Sequence, residues 1–175
     1  MKREHLGDSY DAVKRMWREL LASWAPLYAE PRFFPDDELR RDFTQLTGIQ
    51  MLTERREGIC SVLNDPDTGI RLPGKKNQAE RRSHLDLERI IAQLRTNGVR
   101  CVITFDQSFH RTHNLNQEEQ RRAKMRFLHS KGLPSFYYAS HAPFLFAAPN
   151  ERRLKELRDI LSRAGIPENL FESVQ

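Results

Sequence analysis

Asp106, His110 and His113 fall within one eight-residue stretch, Asp106-Gln107-Ser108-Phe109-His110-Arg111-Thr112-His113, directly after the most strand-like run in the chain. A carboxylate and two imidazoles can bind a divalent metal, or act as a base with its orienting partner in phosphoester or acyl chemistry. Location argues for them more than spacing does. Open α/β sheets bind ligands beyond the carboxyl ends of their strands, whereas Asp-x3-His-x2-His is no metal signature and would need further ligands from elsewhere. His141, in Ser140-His141-Ala142-Pro143, would stand at the end of the next strand and approach Asp106 if the two strands are neighbours. These four residues are the candidate catalytic set. His84 and His129 fall inside expected helices, where a packed or solvent-facing ring is the simpler reading.

A second kind of chemistry is written in the basic residues. Gly69-Ile70-Arg71-Leu72-Pro73-Gly74-Lys75-Lys76 nearly matches the phosphate-binding loop Gly-x4-Gly-Lys-[Ser/Thr], but Lys76 replaces the hydroxyl that would bind magnesium. Pro73 also removes a backbone donor where such a loop offers them. Nucleotide hydrolysis by this loop is therefore rejected. What survives is contact with phosphates through Arg71, Lys75, Lys76, Arg81 and Arg82, joined by Arg121, Arg122, Lys124 and Arg126 of a basic helix. Tyr137 and Tyr138 could add stacking, although adjacent strand residues face opposite sides and one of the two must be core.

Charge distribution points the same way. The formal net charge is +5, with ten Lys/Arg against eleven Asp/Glu in residues 1–57 and 19 against 13 in residues 58–175. The excess sits where the candidate sites are, a footprint for nucleic acid or another polyanion. An apolar fraction of 38% with 30% charged residues describes a globular chain, and no apolar run approaches the roughly 20 residues of a membrane helix. The charged start, Met1-Lys2-Arg3-Glu4-His5, lacks a signal-peptide core. Cys60 and Cys101 have no CxxC spacing and read as reduced thiols. The expectation is a soluble cytoplasmic protein.

The elements that would position these residues are marked by periodicity and caps. Tyr10, Val13, Met16, Trp17, Leu20, Leu21 and Trp24 recur at helical steps behind Asp8 as cap. A second helix starts at Asp36 and ends near Gly48. Residues 58–64 suggest a strand, a third helix is expected from about Gln78 to Asn97, and Val99 to Phe105 is the clearest strand. Asn116-Gln117-Glu118-Glu119 resembles a capping box opening a helix to Lys131, followed by a strand from Ser135 to Ser140. A last helix runs from Asn150 to Gly165, and Phe144 to Ala148 is a further short strand or a turn. Helix, glycine and apolar strand in repetition imply β-α-β units. The expected fold is α/β, a small mostly parallel sheet of about three to five strands flanked by helices, with an N-terminal helical segment packed on one face. One domain is expected over 1–175, mostly helical in 1–57 and basic in 58–175.

The stretch from Gly69 to about Ala164 resembles the front of a cysteine-dependent dual-specificity phosphatase domain. The resemblance rests on Arg71-Leu72-Pro73, the helix to Asn97, the strand from Gly98-Val99 and the strand after Gly132-Leu133-Pro134. That family works through His-Cys-x5-Arg, in which a thiolate attacks phosphate held by the guanidinium. Here Ile59 precedes Cys60, with Pro66 six residues on, and Arg100 precedes Cys101, with Gln107 six residues on. No catalytic residue carries over, and no family is claimed.

The reading favoured by charge is a non-catalytic binding or regulatory protein for nucleic acid or another phosphate-rich partner. Its alternatives are a small phosphoester hydrolase, metal-assisted or not, built on Asp106, His110 and His113, and a protein-interaction module presenting Trp17, Trp24, Tyr28, Phe33 and Phe34. The sequence names no cofactor, metal or oligomeric state.

Overall fold

The computed structural model describes residues 3–53, 58–72, 83–108 and 115–174. Helix α1 (Ser9–Leu21) begins where the Asp8 carboxylate accepts from the amides of Tyr10 and Asp11, satisfying donors that the first turn would otherwise leave orphaned. After β1 (Leu27–Ala29), α2 (Asp37–Thr47) is capped by Asp36 and closed by Gly48 at φ 72°, before the short β2 (Gln50–Met51). Next come β3 (Cys60–Asn64), β4 (Gly69–Ile70), β5 (His84–Leu85), α3 (Leu87–Leu94) and β6 (Val99–Phe105). Helix α4 (Gln117–His129) opens on a complete capping box between Asn116 and Glu119. The chain then forms β7 (Ser135–Tyr138), β8 (Phe144–Ala147), α5 (Glu151–Arg163) and β9 (Phe171–Ser173).

The fold is α/β, and among the described residues seven strands form one sheet ordered β2-β1-β3-β6-β8-β7-β9. Strands β2, β1, β3 and β6 are mutually parallel, while β8 runs antiparallel to both β6 and β7, and β9 antiparallel to β7. Five strands thus share one direction. The sheet exceeds the three to five strands expected because three short segments pair at or near its edges. Leu27–Ala29, set between prolines, joins as β1; Gln50–Met51 and Phe171–Ser173 become the two edge strands.

Two expectations are corrected in detail. Residues 73–82, which include the first five residues of the expected third helix, lie outside the described residues, and α3 itself is only Leu87–Leu94. His84, assigned to that helix, is in β5, whose partner is the parallel β4. The strands carrying Asp106 and His141 are also not neighbours, because Phe144–Ala147 folds back as β8 and pairs with β6 and β7 on either side.

Alternation along the strands separates two faces. On one, Phe105, Phe144 and Phe146 meet α1 through Tyr10 and Trp17, with Trp17 edge-on to both β8 phenylalanines and to Tyr138. On the other, Asn64, Thr104, Asp106 and Tyr137 face α3 and α4. The two adjacent tyrosines therefore divide between the faces, and Tyr137 is fully buried. Trp17, Phe33 and Phe34 are core, whereas Trp24 and Tyr28 are half-buried, so most of the aromatic surface expected for a protein-interaction module is used in packing. Among the described residues no helix is long and apolar enough to cross a membrane.

Candidate functional site

Asp106 directly follows β6 with its carboxylate pointed at α4, and five donors converge on it. Oδ1 accepts from Ile70 N at 2.8 Å, Ser108 N at 3.1 Å and the Ser108 hydroxyl. Oδ2 accepts from Lys124 Nζ and Tyr137 Oη, each at 2.6 Å. Lys124 also donates to Ser108 Oγ at 2.7 Å. Burial by itself would push the Asp106 carboxyl up, but the Lys124 ammonium and the donors from Ile70, Lys124 and Ser108 outweigh it and hold the group below its ordinary value. A carboxylate so stabilised is a poor base. The same environment, burial first and the Asp106 charge second, raises the Tyr137 phenol well above its usual range.

The neighbouring strand ends are equally engaged. Asn64, the last residue of β3, exchanges amide hydrogen bonds with Gln93 of α3 at 2.8 and 2.9 Å and reaches Thr104 of β6 at 3.2 Å. Glu30, beyond β1, receives Gln93 Nε2 at 2.9 Å and Arg89 Nη2 at 2.8 Å. On the opposite face, buried Lys14 donates to Asp11 at 2.9 Å and Asp65 at 2.8 Å. Burial opposes its charge, but the two carboxylates prevail and raise its pKa. These networks lock the carboxyl edge of the parallel strands, where the fold places ligands.

Arg71 differs from all of them. It follows β4, which lies over Asp106 through the Ile70 amide, and its own amide bonds to Leu85 O at 2.9 Å beside the start of α3. The residue is 4% exposed. Its Nη1 is 3.2 Å from Asp86 Oδ1, while Nε and Nη2 are buried with no hydrogen-bond partner among the described residues. Asp86 occupies the N-cap position of α3 yet makes no side-chain cap bond. Nε and Nη2 form the side-on fork of a guanidinium, the edge that grips an oxyanion with two parallel bonds. The chain supplies its own comparison: Arg121 uses these two atoms on Glu172, both at 2.7 Å.

The chain matches no family model, no curated protein and no solved structure.

Of the candidate catalytic residues, Asp106 is at the strand end as expected, while His110 and His113 lie outside the described residues. His141 is exposed, and its ring stacks on Tyr10 with centroids 6.1 Å apart, on the face of the sheet away from the Asp106 carboxylate. Asp106 and His141 are not brought together. Among the described residues no group of three or more His, Cys, Asp and Glu could hold a metal ion. Of the basic set, Lys75, Lys76, Arg81 and Arg82 lie outside the described residues. Arg121 pairs with Glu172, Arg122 with Glu118, and Lys124 is buried on Asp106, which leaves Arg126 exposed on α4. Most of the charge of α4 is thus neutralised within the fold.

A pocket of about 280 Å³ opens on the α1 face between Tyr10, Lys14, Asp65, Asp67, Phe105 and Gln107. Its lining also includes Asp8, and Lys14 already belongs to two carboxylates, so its charge has the wrong sign for a phosphate. Sequence reading missed the buried roles of Lys124, Lys14 and Ser108, and left open which of the two adjacent tyrosines is core. A signal existed for the lysines. Gln120, Lys124 and Leu128 line up at four-residue steps, and Asp11, Lys14, Trp17 and Leu21 at three- and four-residue steps, which places both lysines on buried helix faces.

Proposed function

We propose that the chain is a non-catalytic binding protein for a phosphate-bearing partner, engaged at the carboxyl edge of the parallel strands through Arg71. One observation carries the reading: a guanidinium 4% exposed has no partner for its bidentate edge among the described residues. A buried unpaired donor on a charged group costs folding free energy on the order of 1–3 kcal/mol or more, and functional sites are where folds tolerate such costs. The first turn of α3, lacking a side-chain cap, adds the positive end of a helix dipole nearby. The hydrolase reading finds less support, since every oxygen of Asp106 is already committed and its pKa is held low.

Titrating labelled single-stranded DNA and RNA, with pyrophosphate as competitor, into the wild type and Arg71→Met tests this. The expected result is salt-sensitive binding, displaced by pyrophosphate and weakened at least about tenfold by the substitution. Absence of binding at low salt, or equal binding by both proteins, would sink the proposal.

A further inference from the structure

We infer that the pocket on the α1 face takes a small organic amine, its protonated primary ammonium set against Asp8 and Asp65 and its apolar or aromatic body against Tyr10 and Phe105. This site is separate from Arg71, which follows β4, a strand bonded to Asp106 on the other face of the sheet.

The course of the chain puts the pocket where a ligand can enter. Asp65 directly follows β3, Phe105 is the last residue of β6 and Gln107 lies two residues beyond, so one wall is the carboxyl edge of two adjacent parallel strands. Ligand crevices of α/β sheets open at that edge. Helix α1 supplies the facing wall through Tyr10 and Lys14, with Asp8 at its cap. The enclosed space of about 280 Å³ stands at the lower end of small-molecule sites, roughly 300–1,000 Å³.

The choice of a cation follows from the carboxylate oxygens. Asp65 is 3% exposed, and its Oδ2 receives Lys14 Nζ at 2.8 Å, while its Oδ1 receives no hydrogen bond among the described residues. Asp8 uses Oδ1 for the amides of Tyr10 and Asp11, and its Oδ2 is likewise without a donor among the described residues. Buried carboxylate oxygens call for donors. One ammonium, Lys14, stands against three carboxylates, Asp8, Asp11 and Asp65, so the group is negative. Asp67, also on the wall, adds to that sign, and His5, the other basic residue there, is 3.7 Å from Glu4.

The kind of cation follows from the rest of the wall. Among the described residues no group of three or more His, Cys, Asp and Glu could hold a metal ion, so the remaining oxygens suit a larger, organic cation. A primary ammonium brings three N–H donors to them, and a quaternary one brings none. The Tyr10 and Phe105 rings meet at 5.0 Å between centroids, tilted by 46°, which gives an apolar corner for the body of the ligand. Lys14 Nζ, 5.5 Å from the Phe105 centroid, already takes one face of that ring. The ligand's charge therefore belongs with the carboxylates and its carbon with the rings.

Calorimetric titration of tyramine into the full chain tests this, alongside tyrosol, which replaces the ammonium by a neutral hydroxyl, and the N,N,N-trimethyl derivative of tyramine. Expected is saturable, salt-weakened binding of tyramine, and binding at least about tenfold weaker for each analogue, because both lose the charge-assisted N–H bonds to carboxylate. Asp8→Asn keeps an equivalent helix cap and removes the charge, so it should weaken tyramine about tenfold with little change in melting temperature. An Asp8 that serves only as a cap would leave the affinity unmoved. Tyr10→Leu should also weaken tyramine. Absence of saturable tyramine binding, or equal binding of tyrosol, would overturn the assignment of a cation. Equal binding of the trimethyl derivative would overturn the primary ammonium, and affinity unchanged in both variants would overturn the location. Arg71→Met should bind tyramine as the wild type does, so failure at one site is distinguishable from failure at the other.

Discussion

Tyr137 Oη and Lys124 Nζ meet at one atom, each donating at 2.6 Å to Asp106 Oδ2, so a strand, a helix and a strand end share a single buried oxygen. Asp106 and Lys124 side chains are each 1% exposed. Breaking such a pair leaves an uncompensated charge in the interior, whereas removing both partners does not.

Asp106→Asn should therefore cost about 3–5 kcal/mol in urea or guanidinium unfolding. Adding Lys124→Met to that variant should recover part of the loss, because the stranded ammonium goes with it. Additive destabilisation in the double variant would show that the two residues are not coupled in the folded protein.

Gly69 is demanded by the same carboxylate. Its φ is +110°, and a Cβ there would collide with Asp106 Oδ1 and stand 2.9 Å from both Asp106 Cα and Ser108 N. Gly69→Ala should lower stability by on the order of 3 kcal/mol. A melting temperature equal to wild type would mean that β4 does not sit on Asp106 as described.

The buried charges set the pH window. The folded-state pKa of Asp106 is depressed, so its contribution is present above the unfolded carboxylate value near ~4 and is lost as pH falls through the folded value. Lys14 and Tyr137 are raised, so theirs are full below their unfolded values near ~10 and are lost as pH rises towards the folded values. Unfolding midpoints measured from pH 3 to 11 should be flat between these limits and fall on both sides. Tyr137→Phe should soften the alkaline fall and leave the acid limb. An alkaline limb unchanged in that variant would contradict the assignment.

The local elements were legible in the sequence wherever one residue type answers one backbone need. Asp8, Asp36 and Asn116 cap helices because their short side chains reach free amides, and Gly48 closes α2 with a positive φ. Val99–Phe105 is a strand because its β-branched run suits a pleated, buried surface. The placement of Asp106 at a strand end was readable too, from its position after that strand, but its role there was not. Tertiary structure alone decided the rest. Nothing local says that Phe144–Ala147 inserts between β6 and β7 and keeps His141 from Asp106, since strand order depends on pairing between distant segments. Nor does residue type distinguish Lys124, buried on a carboxylate, from exposed Arg126, or Arg121, whose fork is filled, from Arg71, whose fork meets no partner among the described residues. A side chain's charge belongs to the sequence, but the cost and use of that charge depend on which groups the fold brings within about 3 Å of it.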